Sequence, residues 1–181
     1  MFRRLKNIKP SCMYRSGNRI TLAMNKTHIV DAIIAQLKIK AGHHFTAAKS
    51  AHAEATHEES IAEDKYDTRG LEAGYLAVGQ ARMMEEAAEA IRAYANLFIK
   101  KIGPGEPIDL TAVVDLSVNK RQESVFIGPS GGGVEVSVDG KTYTVITPES
   151  PLGQLLMGKN AGDRFKRKVG PFEDSYRITA V

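Results

Sequence analysis

The chain has 181 residues, 43% of them hydrophobic and 25% charged. That balance suits one large or two small globular domains and excludes a fibrous or low-complexity chain. No apolar run reaches bilayer-spanning length. Its one cysteine, Cys12, excludes an intrachain disulfide or a cysteine-built metal cluster and is in keeping with a reducing, cytoplasmic setting. The formal charge of +4 is unevenly placed: residues 1–23 hold six basic residues and no acid, 24–101 ten against eleven, and 102–181 nine against ten. A nucleic-acid-binding charge therefore belongs to the leader and not to the body of the chain.

The leader, residues 1–23, contains Arg3, Arg4, Lys6, Lys9, Arg15 and Arg19. It lacks the apolar core of a secretory signal. A disordered basic tail, a transit peptide, or an early start site with Met24 as the true beginning each fit it, the last best.

From Thr27, a plausible N-cap, the pattern is helical. Ile29, Ile33, Leu37, Ala41, Phe45 or His44, Ala48 and Ala55 recur near helical spacing. Gly42 weakens this helix without ending it. A second helix is expected from near Asp64 to Lys101. Its apolar stripe runs through Leu71, Tyr75, Val78, Met84, Ala88, Ile91, Ala95, Phe98 and Ile102. Two such helices joined by a short polar segment predict an antiparallel coiled-coil hairpin over 24–102. Arms of about 30 residues make a rod of roughly 45 Å. Tyr66 and Tyr75 are expected to pack within the hairpin.

Gly103-Pro104-Gly105-Glu106-Pro107 breaks the helix, so 103–108 reads as a linker. Beyond it the period becomes two. Strands are expected at 110–116, 124–127, 134–138, 141–146, 164–169 and 176–181, with Asp139-Gly140 as a hairpin turn. The basic run Arg164, Lys166, Arg167 and Lys168 reads as a solvated strand edge that discourages edge pairing, with a polymerase or RNA contact as the alternative.

Between the fourth and fifth strands stands Ser150-Pro151-Leu152-Gly153, then Leu155-Leu156-Met157-Gly158-Lys159 and Gly162-Asp163. Pro151 fixes its own φ and keeps Ser150 out of helical geometry, and Gly158 can close one short helix. The order S-P-L-G-x-x-L-x-G-K-x-x-G-D resembles the signature of the C-terminal domain of the Gre family of bacterial transcription elongation factors. The resemblance covers about 142–181 in literal motif and 24–181 in layout. It implies an α+β fold: the N-terminal coiled-coil hairpin, then an FKBP-like antiparallel sheet with one short helix over 109–181. It implies docking on bacterial RNA polymerase, with Ser150, Pro151, Leu152 and Gly153 at the docking turn and the hairpin entering the secondary channel. It implies a DNA-associated transcription factor that is monomeric and off the membrane. The resemblance implies a protein that is not itself an enzyme, its tip acids sharing a magnesium ion with the polymerase, which then cleaves backtracked RNA near its 3′ end. No cofactor is bound by the protein alone. Prolyl isomerase activity is not expected from the fold analogy.

Six acids lie between Glu54 and Asp67, opposed only by Lys65. Such a cluster repels itself unless a cation or a basic channel meets it, and carboxylates are magnesium ligands. Glu59, Glu63 and Asp64 are the candidate metal ligands and catalytic acids, with Glu58 in reserve. The tip departs from the family's G-D-L-x-E-N-A-E-Y. If Tyr66 takes the family tyrosine's place, Glu59 falls on the aspartate and Ala62 on the glutamate. Polymerase binding without cleavage is therefore the alternative, and an unrelated helical interaction module a remote third. The five histidines are not expected to form a zinc site.

Overall fold

In the computed structural model the described residues are 17–57, 68–103 and 105–181. Two long helices come first, α1 over Gly17–Ala55 and α2 over Arg69–Ala95. Helix α1 runs unbroken through Gly42 and begins upstream of Thr27. Thr27 is therefore interior and not the N-cap: residues 18–26 contain neither proline nor glycine, so nothing stops the helix there. Helix α2 closes at Ala95, where the Asn96 amide returns to the Arg92 carbonyl. Phe98 and Ile102 thus lie beyond the helix, Phe98 exposed and Ile102 buried under the sheet.

The helices are antiparallel, with His44 beside Gln80 in mid-shaft and Leu37 clustered with Ala90 and Tyr94 toward the base. Along α1 the covered positions step by four and three: Val30, Ile34, Leu37, Ala41, His44, Ala48, Ala51, Ala55. Beyond Leu37 every other position on α1 is exposed. The matching series on α2 is Ala73, Ala77, Gln80, Met84, Ala87, Ile91 and Tyr94. A seven-residue repeat keeps one seam facing its partner, which is the coiled-coil geometry. This corrects the expected α2 stripe. Leu71, Tyr75 and Val78 are 59%, 71% and 70% exposed, while small Ala73 and Ala77 face the partner. Close approach of the axes selects small residues over large ones. On α1 His44, and not Phe45, takes the seam position.

Six strands follow: β1 Val113–Val118, β2 Arg121–Ile127, β3 Glu135–Val138, β4 Lys141–Ile146, β5 Arg164–Val169 and β6 Phe172–Ala180. A short helix, α3 over Pro151–Leu156, lies between β4 and β5. The strand order is β3-β4-β2-β1-β6-β5. Every neighbouring pair is antiparallel except β2–β4. The sheet is therefore mixed: the β3–β4 hairpin folds back so that β4 enters beside β2 in the same direction, which strand alternation does not specify.

Three two-residue turns set the register. Asn119-Lys120 joins β1 to β2 with φ of 48° and 73°, and Asp139-Gly140 joins β3 to β4 with 52° and 75°. Gly170-Pro171 joins β5 to β6 with Gly170 at 59°.

The sheet has two differently covered faces. On one, Phe126, Val136, Tyr143 and Val145 meet Ile29, Ile33, Leu37 and Tyr94 from the hairpin base. On the other, Val114, Leu116, Val125, Ile127 and Ile178 meet Leu156 of α3 and Ile102 and Ile108 on either side of the 103–107 break. Adjacent residues Val125, Phe126 and Ile127 divide between the two cores, as a period of two requires. The hairpin covers the β3-β4-β2 half of its face together with Val113 at the start of β1; beyond that, Ser117 of β1, Arg177 of β6 and Arg164 of β5 stand side by side.

Candidate docking turn and hairpin tip

Most of the motif turn is held by contacts inside the domain. Ser150 is extended at the N-cap of α3; its Oγ accepts from the Gly153 amide at 3.0 Å and donates to the Thr147 carbonyl at 2.7 Å. Gly153 is buried, and a Cβ there would overlap the Thr147 carbonyl oxygen. Pro151 sits in the first turn of α3, where its missing amide hydrogen costs nothing. Leu156 is fully buried. Beyond the helix, the Gly158 amide bonds Ile108 O and the Ile108 amide bonds Lys159 O, which stitches the linker to the turn. Asp163 Oδ2 accepts from the Asn160 amide at 2.9 Å. What this arrangement offers to a partner is Pro151, exposed, with Ser150 and Leu152 half-buried beside it. Of the four expected docking residues, Gly153 is enclosed and serves the fold.

The hairpin base is held by a second set of contacts. Tyr94 donates its hydroxyl to the Ser130 carbonyl at 2.8 Å and lies against Gly128, where a Cβ would strike the phenol oxygen. Burial pushes the Tyr94 phenol well above its ordinary value. Lys26 is buried and donates to the Lys100 carbonyl at 3.2 Å; burial lowers its amine. Thr111, buried at φ 67°, accepts from the Lys100 amide at 2.9 Å and donates its own amide to Ile127 O. A β-branched residue in that region is strained, and the surrounding bonds hold it there. Lys100 and Asp109 pair at 2.6 Å, a hydrogen bond that raises the amine and lowers the carboxyl. The sequence pattern did not single out Lys26, Tyr94 or Thr111 as joint residues; only the fold brings them together.

At the far end of the hairpin, α1 stops at Ala55 and α2 starts at Arg69. Glu54 is exposed in the last turn of α1. Glu58, Glu59, Glu63, Asp64 and Tyr66 fall in 58–67, outside the described residues. Among the described residues no group of three or more His, Cys, Asp and Glu is placed to hold a metal ion.

The class of protein is thus set by its own contacts: an α+β chain in which an antiparallel helical hairpin stands on a six-stranded mixed sheet, with one short helix on the other face. No family model matches the chain, and no curated protein matches it. Among solved structures it is similar to the GreA factor homolog 1 (Gfh1) protein of Thermus thermophilus, at 22% identity over 82% of this chain and 94% of that one, TM-score 0.34. It is similar to Gfh1 of Thermus aquaticus at 24% identity over 83% and 91%, TM-score 0.34. It is also similar to the prokaryotic transcription elongation factor GreA/GreB from Nitrosomonas europaea, at 19% over 52% and 77%, TM-score 0.33. Overlaps at these scores carry no functional argument. No helix among the described residues is long and apolar enough to cross a membrane.

Proposed function

We propose that this protein is a transcription elongation factor that binds bacterial RNA polymerase, sends its hairpin into the secondary channel, and stimulates the polymerase to cleave backtracked RNA. One observation carries this most directly. Two paired helices end at Ala55 and Arg69, at the opposite end of the hairpin from the sheet, and the chain that joins them holds five acids. The S-P-L-G motif at 150–153 supports docking of the sheet domain beside that channel. Carboxylate oxygens are the donors that suit a magnesium ion. Glu59, Glu63 and Asp64 would share such an ion with the polymerase, where it would supply activated water for phosphodiester hydrolysis. The protein itself is not a nuclease, since the reacting site belongs to its partner. It binds no cofactor alone and acts as a monomer in the cytoplasm.

Ala62 favours a second reading. If Tyr66 takes the family tyrosine's place, Ala62 falls on the family glutamate, and the same rod would occupy the channel and inhibit or modulate without cleaving. The test uses purified bacterial RNA polymerase stalled on a backtracked transcript with magnesium. Shortened RNA that disappears with Glu59→Ala/Glu63→Ala/Asp64→Ala supports stimulation of cleavage. Slower synthesis without shortening supports the inhibitor, and no association with polymerase defeats both.

A further inference from the structure

Strand β5 ends the sheet, with only β6 beside it. The two-residue turn at Gly170-Pro171 makes Val169 and Phe172 a pair that exchanges both backbone hydrogen bonds. Alternation then gives Arg167–Asp174 and Phe165–Tyr176 the same role, so the N–H and C=O of Arg164, Lys166 and Lys168 face outward from the sheet edge. Those same three residues are the exposed ones, while Phe165 and Arg167 are partly covered. Phe165 stacks on Tyr176 with centroids 4.9 Å apart, which anchors the strand on its other face. The edge therefore offers unpaired backbone groups and cationic side chains at the same alternate positions.

The cations there are under-compensated. Lys166 pairs with Glu173 at 2.6 Å, but neither Arg164 nor Lys168 has an ion pair among the described residues. Arg164 lies directly opposite Arg177 on β6, an unfavourable like-charge neighbour. Beside them is an open hollow of about 490 Å³ that includes Ser117, Lys120, Arg164 and Arg177.

We propose that the β5 edge accepts an extended acidic polypeptide segment as an added strand, with carboxylates at every second position meeting Arg164, Lys166 and Lys168. Strand addition draws affinity from main-chain hydrogen bonds and specificity from alternate side chains. The basic edge repels a second copy of itself and so admits an acidic strand while refusing self-association. A nucleic acid fits less well. Residues 102–181 hold nine basic against ten acidic residues, so the domain lacks the long-range field that gathers phosphate backbones.

The test needs no polymerase and is independent of the function proposed above. A fluorescein-labelled peptide with glutamate at alternate positions and threonine or valine between is titrated with the full chain at low ionic strength. Saturable binding is expected, weakened by roughly tenfold or more in Arg164→Glu/Lys168→Glu. The same peptide N-methylated along its pairing edge keeps every charge but cannot join a ladder, and its binding should be lost. Equal binding of the methylated peptide would overturn the proposal, because charge alone would suffice. So would binding unchanged by the β5 substitutions, which would place it on cations elsewhere, the leader included. So would a DNA duplex that binds the β5 edge while the peptide does not.

Discussion

Gly153 shows how little freedom the motif turn allows. Its absent Cβ makes room for the Thr147 carbonyl that also takes the Ser150 hydroxyl. Gly153→Ala should destabilise the protein by about 1–3 kcal/mol through overpacking, and Ser150→Ala by about 1 kcal/mol through loss of the cap, both read from urea midpoints. Tyr94 supplies a pH test. Its phenol is raised by burial above the ordinary value of 10.0, so the folded form keeps its proton where the unfolded form loses it. Stability from this group is whole below pH 10 and is lost as pH rises past it. Tyr94→Phe should cost about 1 kcal/mol at neutral pH by leaving the Ser130 carbonyl without its donor. It should also flatten the loss of stability above pH 10, measured as thermal midpoints of the two proteins across the alkaline range. An alkaline limb unchanged by the substitution would mean that this phenol ionises in the folded state.

At the scale of elements, the hairpin seam beyond Leu37 on α1 and before Ile91 on α2 is mostly alanine, so it buries little area per turn there and holds loosely by hydrophobic means. A polar pair, His44 Nδ1 and Gln80 Oε1 at 2.8 Å, sits in its middle. Polar pairs in such seams set register at some cost in stability. A double-mutant cycle of His44→Ala and Gln80→Ala should give a coupling of about 1 kcal/mol. Below this pair the hairpin joins the sheet core through Ile29, Ile33 and Tyr94; above it there is only the seam. Amide exchange should therefore show protection that falls from Ile33 toward Ala55 on α1 and from Tyr94 toward Ala73 on α2. Uniform protection along the shaft would contradict this.

At the scale of the whole molecule, one apolar cluster contains side chains of both the hairpin base and the sheet. The base of the rod is thus part of the platform's core and not a tethered neighbour. Unfolding followed by helical circular dichroism and by Tyr94 burial should give coincident transitions in urea, since both report the same core. The residues that root the hairpin in that core, Ile29, Ile33, Leu37 and Tyr94, are remote in sequence from 58–67, so Glu59→Ala/Glu63→Ala/Asp64→Ala should leave the thermal midpoint unchanged while, under the proposed function, abolishing stimulated cleavage. A rod rooted in this way transmits its aim from the sheet domain to the helix ends at Ala55 and Arg69.

Much of this fold was legible in the chain because its cues are local. The break at 103–107, the Asp139-Gly140 turn and the Ser150-Pro151 cap each act within a few residues, where proline, glycine and a hydroxyl have defined backbone effects. The acids at 58–67 are legible only as composition, in the segment that joins α1 to α2. What the sequence left open depends on partners distant along the chain. Leu71, Tyr75 and Val78 look like a buried stripe until the antiparallel neighbour selects Ala73 and Ala77. Lys120, Arg164 and Arg177 look scattered until β1, β6 and β5 align. The parallel β2–β4 pairing and the seating of Tyr94 over Gly128 likewise exist only once the sheet has closed. Helix and turn signals are short-range properties of covalent geometry, whereas which face is buried is decided by the surface that arrives to cover it.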